Sequence, residues 1–343
     1  IACEGLVDFA TRFAHEAERL ASQEPDPARA AELKEIARIC HKVPNNPAET
    51  FHEAVQSLWL THTAVNLEGL NSAISFGRLD QYLYPYYKHD LEQGRITPDR
   101  ARELLLCFSA KCAEHVFLLS EKTSQFHGGY LVVQAVIVGG MDREGRDAVN
   151  DLTYLLLDVM EESGLREPNY QARVHTGSPE KYLTRVADVA KQGKAVPAIF
   201  SDEAAEAALV AHSYPRDEAR DYGVVGCVEL ALPGKSFFST DAALFNLPLC
   251  LELALNRGRQ LKGHRRVGVA TPDPASFTSI GQVVDAFRAQ VEFMVARLIA
   301  DMQVIEMGNR NYHPTPLSSM LVDGCLDSGK DLTAGGALYN SSG

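Results

Sequence analysis

The feature of this sequence that most restricts its fold is an alternation of short apolar or β-branched runs with long stretches of helical periodicity. The short runs have the length of strands, and the stretches between them are long enough to cover a sheet. This order is typical of an α/β architecture in which helices cover the strands, either as an open sheet or as a barrel. The predicted strands lie in 130–140, 172–176, 195–201 and 222–230.

Several of the predicted helices have recognisable ends. Thr97 fits an N-cap position, and Pro98 follows it at the first helical position. Gly164 fits the position just after a helix C-terminus. The longest pattern, 279–306, repeats apolar residues every three or four positions and predicts a packed helix face. That face would consist of Val284, Phe287, Val291, Met294 and Leu298.

Charge and composition restrict the kind of partner. The chain has 343 residues, a formal net charge of −12 and no Lys/Arg-rich block. These properties argue against a surface for nucleic acid or anionic membranes, so we expect a small-molecule partner. No apolar run approaches the roughly 18 residues of a membrane span. The first residues include neither an initiator Met nor a basic leader, so the chain looks excised from a longer one.

The cysteines indicate a reducing compartment. Seven of them are scattered along the chain without a CxxC motif, which favours the cytoplasm over a disulfide framework. The nearest approach to a metal-binding pattern is Cys107, Cys112 and His115. These residues fall inside an amphipathic helical pattern, where core cysteines are common, and we therefore expect no metal ion.

One stretch, GVVGCVEL at 223–230, places a thiol and a carboxylate two residues apart within an apolar run. Gly226 allows a sharp turn or a close backbone approach, so Cys227 is predicted at the tip of a strand-loop. In extended backbone, Glu229 would emerge on the same side as Cys227. The alternative is a small core cysteine followed by a carboxylate that merely faces solvent.

Polar residues also gather downstream, where an apolar helix begins. Thr240 and Asp241 follow the Cys227 loop closely, and Asn246 and Glu252 open or line the next helix. Thr240 and Asp241 could contact a substrate. They could equally serve as N-caps of the helix predicted from Ala242, a role that stabilises a helix by about 1 kcal/mol and needs no ligand.

These stretches together resemble the glycyl radical enzymes, the superfamily of pyruvate formate-lyase and the B12-independent diol dehydratases. The resemblance spans nearly the whole chain, in the order that the family follows. It rests on VPNNPAETFHEAVQSLW, SFGRLDQYLYPYY, IFSDEA, GVVGCVEL, LFNLPLCLELALNRG and DLTAGGALYN. It implies a barrel of β-strands wrapped by helices, with the cysteine loop in the centre.

The resemblance also implies the site chemistry. In the family a glycyl radical takes a hydrogen atom from the loop cysteine, and the resulting thiyl radical abstracts hydrogen from the substrate. Cys227 matches that cysteine, and Glu229 matches the general base of the GCVE dehydratase and lyase subgroup. Asp241 matches a substrate-contacting aspartate of the diol dehydratases, and Thr240 a pocket threonine of the choline enzyme. The implied reaction is elimination of water, amine or sulfite from a small organic substrate.

The resemblance further implies that residues 1–343 are the central part of a longer enzyme. The chain ends in YNSSG without the family's R-V-x-G-Y type motif, and the segment RVGVA at 266–270 does not replace it. The glycyl radical is therefore expected in a missing C-terminal region, where a radical-SAM activating enzyme would install it. The family's N-terminal helical region is also missing. We expect no cofactor on residues 1–343 themselves. We expect the protein to form a homodimer and to lie in the cytoplasm.

Differences from the family's sequence pattern narrow the set of reactions that the chain could catalyse, and several alternatives stay open. Gly226 stands where pyruvate formate-lyase has a second cysteine, which disfavours acyl transfer. Ser72 and Ala73 replace a His-Ser pair of the diol dehydratases, and Leu244 replaces a tyrosine of the choline enzyme. The alternatives are an arylacetate-type decarboxylase, a formate acetyltransferase-like enzyme, an ionic cysteine nucleophile with a histidine base, or a non-catalytic remnant or subunit.

Two other pairs of polar residues complete the candidates, one pair with a structural interpretation and one pair at the ends of predicted strands. Arg78 and Asp80 in FGRLDQY are predicted to form a buried ion pair or to mark the fold. His175 and Asp202 end predicted strands, where barrels collect site residues.

Overall fold

A computed structural model describes residues 1–69, 73–116, 121–126, 132–193, 196–237 and 243–340. Within these ranges the chain is predominantly helical and has three small sheets. The helices are α1 Ala2–Gln23, α2 Pro27–Lys42, α3 Phe51–Glu68, α4 Leu79–Tyr82, α5 Tyr84–Glu92, α6 Pro98–Glu114, α7 Glu121–Phe126, α8 Asp151–Ser163, α9 Glu180–Ala190, α10 Asp202–Ala211, α11 Arg216–Arg220, α12 Leu247–Leu255, α13 Ile280–Tyr312, α14 Pro316–Met320 and α15 Cys325–Ser328.

The helix ends follow local chemistry. Thr97 caps α6 by accepting the backbone N–H of Arg100, and Pro98 occupies the first turn. Gly164 ends α8 in the left-handed conformation, with φ of 60°. Both predicted ends are confirmed.

The strands are short, and three of them form a parallel sheet in the order β1-β2-β3. The predicted runs at 130–140, 172–176 and 195–201 each contain or overlap one of these strands, whereas the run at 222–230 folds into two strands, β4 and β5, that form an antiparallel hairpin. The strands are β1 Ala135–Gly139, β2 Asn169–Val174, β3 Ala198–Ser201, β4 Gly223–Val225, β5 Glu229–Ala231, β6 Ser236–Phe237 and β7 Tyr339–Asn340.

The parallel sheet has two differently occupied faces because successive side chains of a strand point to opposite sides. Val136 and Val138 of β1, with Tyr170 of β2, lie in the main core, packed against helices that include α3, α6, α8 and α9. Ile137 lies in a second cluster that includes Val224 of the hairpin. The sheet therefore separates a helical core on one face from the β4–β5 hairpin on the other.

The α/β prediction is confirmed, with helices against a parallel sheet. In the described residues the three-stranded sheet is extended by a parallel bridge between Gly77 and Val136. These strands form an open sheet and do not by themselves close a barrel.

The predicted packed face of the longest helix is only half-buried. The helix forms, as α13, but Ala286 and Gln290 are its buried residues, and Val284 is 45% exposed. Among the described elements α12 is the main neighbour of α13, and one short helix covers little of a helix of 33 residues.

All seven cysteines lie in the described residues, and none of them forms a disulfide bond. Among the described residues, no helix combines the length and the apolar character that a membrane crossing needs.

Candidate active site at the tip of the β4–β5 hairpin

Cys227 lies at the tip of the hairpin. Val225 pairs with Glu229, and the three residues between them form the turn. Gly226 begins that turn with φ of +61°, a conformation that glycine adopts at little cost. Cys227 and Val228 are exposed, and Val228 is 64% exposed. The prediction of a cysteine at the tip of a strand-loop is confirmed.

The carboxylate of Glu229 lies near Cys227, but the backbone conformation that places it there differs from the predicted extended strand. Residues 226–228 form a turn, so the alternation of an extended strand does not apply to them. The Glu229 side chain instead folds back, and Oε2 accepts the backbone N–H of Cys227 at 3.1 Å and that of Val228 at 2.9 Å. The carboxylate therefore lies beside the cysteine and is oriented by two donors.

The carbonyl side of the turn is held by amide side chains of β2. Asn169 Nδ2 donates to the Gly226 carbonyl at 3.1 Å. Gln171 Nε2 donates to the same carbonyl at 2.8 Å and to the Cys227 carbonyl at 3.3 Å. The Gly226 N–H donates to Ser75 Oγ at 3.2 Å, which ties the turn to the segment before α4.

The amides of β2 are not among the site residues predicted from the sequence, although the sequence carries a signal for them. In NYQARV at 169–174, polar and apolar residues alternate strictly over the first five positions. Asn169, Gln171 and Arg173 therefore share one face of the strand, which we call the polar face of β2. Gln171 and Arg173 are fully buried at 0% exposure, so their polar groups need partners inside the protein.

Arg173 has its hydrogen-bond partners at the base of the hairpin. Its Nε donates to Asp202 Oδ1 at 2.8 Å, and its Nη1 donates to the Tyr222 carbonyl at 2.9 Å. Its Nη2 donates to the Arg220 carbonyl at 2.6 Å and to the Met141 carbonyl at 3.3 Å. The guanidinium also lies 4.0 Å from the centre of the Tyr222 ring, in cation–π geometry.

The two strand-end residues considered as site candidates have structural partners. Asp202 accepts the Tyr222 hydroxyl at 2.9 Å and the Met141 N–H at 2.6 Å, in addition to Arg173. His175 Nε2 lies 3.0 Å from Asp147 Oδ1. Asp202 therefore fixes the base of the hairpin, and His175 joins two loops.

Arg78 and Asp80 do not pair directly with each other. Arg78 Nη1 contacts Asp221 Oδ1 at 2.6 Å and its Nη2 donates to the Gly139 carbonyl, whereas the Gly139 N–H donates to Asp80 Oδ2. Asp80 is fully buried, and burial raises its pKa, although the Gly139 N–H and the Thr153 hydroxyl oppose the rise. The interpretation as fold markers agrees with these contacts, and the direct ion pair is wrong.

The downstream polar residues divide into two groups. Thr240 and Asp241 lie outside the described residues. Asn246 caps α12 by accepting the Leu249 N–H at 2.9 Å, and Glu252 accepts the Leu261 N–H at 2.9 Å. The last two side chains are therefore engaged in local structure.

The cysteine and histidine pattern on α6 does not assemble into a metal site in the described part of the chain. Cys112 is buried, burial raises the pKa of its thiol, and His115 Nδ1 lies 3.1 Å from Gln134 Oε1. Three potential ligands do converge on the exposed surface of α1 and α2. They are His15, Glu18 and His41.

The pyruvate formate lyase-like family model matches residues 1–343. The chain belongs to the pyruvate formate lyase-like family. The crystal structure of a glycyl radical enzyme from Archaeoglobus fulgidus matches with a TM-score of 0.92 and 40% identity, covering 98% of this chain and 43% of that one. The resemblance to glycyl radical enzymes is therefore confirmed.

Two curated relatives are named as a sulfite-lyase and a dehydratase. Isethionate sulfite-lyase from Nitratidesulfovibrio vulgaris is 38% identical over 335 residues, which cover 97% of this chain and 40% of the relative. Trans-4-hydroxy-L-proline dehydratase from Clostridioides difficile is 34% identical over 346 residues, covering 99% of this chain and 43% of the relative. The chain thus spans less than half the length of these pyruvate formate lyase-like relatives.

Proposed function

We propose that this chain carries the active-site loop of a glycyl radical lyase that eliminates water or sulfite from a small organic substrate. The observation that carries the proposal is the hairpin tip, where exposed Cys227 lies beside the carboxylate of Glu229. A thiol and an oriented carboxylate on one rigid turn can act on neighbouring atoms of one substrate. Relatives named as a sulfite-lyase and a dehydratase support the two leaving groups.

In this proposal, Cys227 and Glu229 divide the reaction between them. A glycyl radical in another part of the complete protein would supply the oxidising equivalent, as the acceptor of the hydrogen atom of the Cys227 thiol. The Cys227 thiyl then abstracts a hydrogen atom from a substrate carbon that bears a hydroxyl group. Glu229 accepts the hydroxyl proton, and the group on the adjacent carbon leaves with its bonding electrons. The proton on Glu229 then passes to the departing hydroxide to form water, or to solvent when the leaving group is sulfite. Return of the hydrogen atom from Cys227 to the product radical regenerates the thiyl.

Glu229 has an oxygen free for this role. Its Oε2 accepts both N–H groups of the turn, and no hydrogen bond to Oε1 is present among the described residues. Oε1 can therefore receive a substrate proton while Oε2 keeps the side chain in place.

Other parts of the proposal depend on the family. Thr240 and Asp241 would contact the substrate, since they match pocket positions of glycyl radical enzymes. Residues 1–343 would act as one domain, and the radical glycine would come from another part of the longer protein. A radical-SAM enzyme would activate it, and the protein would work as a homodimer in the cytoplasm. Membership of the pyruvate formate lyase-like family supports these statements.

The test uses the protein encoded by the complete reading frame that contains residues 1–343, activated anaerobically with its radical-SAM partner. A glycine-centred EPR doublet and product from a hydroxylated substrate, isethionate or a 1,2-diol, are expected. Cys227→Ala and Glu229→Gln should abolish turnover, and Glu229→Gln should still bind substrate. The control is Cys107→Ala, because Cys107 is also exposed but lies on α6. Turnover by Cys227→Ala at the wild-type rate would disprove the assignment.

A further inference from the structure

We infer that the polar face of β2 positions the reacting cysteine, and that Gln171 is the main positioning residue. This inference rests on the proposed function of Cys227. It concerns residues that do not touch the thiol as hydrogen-bond partners but hold the backbone on either side of it.

The hydrogen bonds of the turn hold both peptide groups that flank the Cα atom of Cys227. The peptide between Gly226 and Cys227 is held at its carbonyl by Asn169 and Gln171 and at its N–H by Glu229. The peptide between Cys227 and Val228 is held at its carbonyl by Gln171 and at its N–H by Glu229. Because the two peptide planes define φ and ψ of Cys227, these bonds set the direction of its Cα–Cβ bond.

Packing of the side chains does not set that direction. Cys227 and Val228 are exposed at the tip, so burial in a packed core does not fix the turn. Gln171, in contrast, is fully buried in the middle of β2 and is paired in register with Ile137 and Ala198. A buried side chain on the central strand of a sheet is a rigid support for an exposed loop.

The orientation of the Gln171 amide agrees with this role. Its Nε2 faces two carbonyl oxygens, whereas its Oε1 is buried without a hydrogen-bond partner among the described residues. The opposite orientation would place Oε1 against both carbonyls and remove the donations. A buried oxygen without a hydrogen bond raises the free energy of the folded state. Here that oxygen belongs to Gln171, the side chain that holds both peptides of Cys227.

The test compares Gln171→Met with a control, Gln134→Met, in the complete protein. Methionine keeps the length and approximate volume of glutamine but cannot donate a hydrogen bond. Gln134 is also fully buried and makes hydrogen bonds near the sheet, but its partners include His62 and Cys112 and none is in the hairpin. Both variants thus lose a buried amide, but only Gln171→Met should release the turn that contains Cys227.

Two measurements are needed. In hydrogen exchange of the protein before activation, Gln171→Met should raise the exchange rates of the Cys227 and Val228 amides at least 10-fold, and Gln134→Met should leave them unchanged. After activation, Gln171→Met should lower kcat about 10- to 100-fold with KM within about 2-fold, because a displaced thiol slows hydrogen transfer and not substrate binding. The yield of the glycyl EPR signal should remain that of the wild type.

The two measurements test the positioning role of Gln171 and the proposed function separately. If the wild-type protein shows neither radical nor turnover, the proposed function fails, while the exchange rates still report whether Gln171 holds the turn. If the wild type is active and Gln171→Met retains its exchange rates or its kcat, the positioning role is refuted. Should Gln171→Met fail to fold, Asn169→Leu replaces it, because leucine has a similar volume and removes the donation of this half-buried residue to Gly226 without adding a charge. A kcat reduced about 3- to 10-fold is then expected, and an unchanged kcat refutes the role.

Discussion

Arg173→Met should be among the most destabilising single substitutions in the described part of the chain. Arg173 is fully buried and donates four hydrogen bonds, to Asp202 and to three backbone carbonyls. Methionine fills much of the volume but leaves Asp202, at 1% exposure, as a buried carboxylate without its cation. Breaking one side of a buried ion pair destabilises a protein by about 3–5 kcal/mol. We expect a loss of that size in the free energy of unfolding.

The measurement is urea unfolding followed by circular dichroism, in a double-mutant cycle with Asp202→Asn. In the Asp202→Asn background, Arg173→Met leaves no buried charge behind, so its effect should be smaller by at least about 1 kcal/mol. Arg185→Met is the control, because Arg185 pairs with Asp158 and Glu161 at the surface and such pairs contribute about 0–1 kcal/mol. Additivity of the two buried substitutions within about 0.5 kcal/mol would refute the reasoning.

Two further predictions concern stability. Burial lowers the pKa of His62 to about 4, below its ordinary value of about 6.5, so the folded state favours the neutral ring. The free energy of unfolding should therefore decrease by up to about 3 kcal/mol as pH falls from 6.5 to 4, and His62→Gln should remove most of that slope in urea titrations. Gly140→Ala should lower the melting temperature more than Gly94→Ala. Both glycines have positive φ, but a Cβ at Gly140 would lie 2.6–2.8 Å from Arg173 and Asp202, whereas no atom lies within 4 Å at Gly94. Equal shifts would show that backbone strain alone matters.

Local signals in the sequence predicted much of the fold. Thr97, Pro98 and Gly164 fixed helix ends through capping chemistry that depends only on neighbouring residues. The apolar run at 222–230, with its glycine before Cys227, was enough to place the thiol at a tip.

Contacts between distant parts of the chain could not be predicted in the same way. Gln171 reaches the turn across 55 residues of sequence, and the partner of Arg78 is Asp221, 143 residues away. The extent of β2 was also missed at its N-terminal end, since the prediction began at residue 172 and excluded two of the three polar positions. The packed face of α13 was overestimated because periodicity shows which side is apolar and not whether a neighbour covers it.

The polar face of β2 has a consequence for how this region can evolve. Three buried or half-buried side chains, two residues apart, hold the hairpin at its tip and at its base. A one-residue insertion or deletion between 169 and 173 would turn part of that row toward the helical core and bring apolar residues toward the hairpin. Substitutions at Tyr170 and Ala172 need only suit the core. Homologues that keep this cysteine hairpin should therefore vary in side chains along β2 but conserve its length.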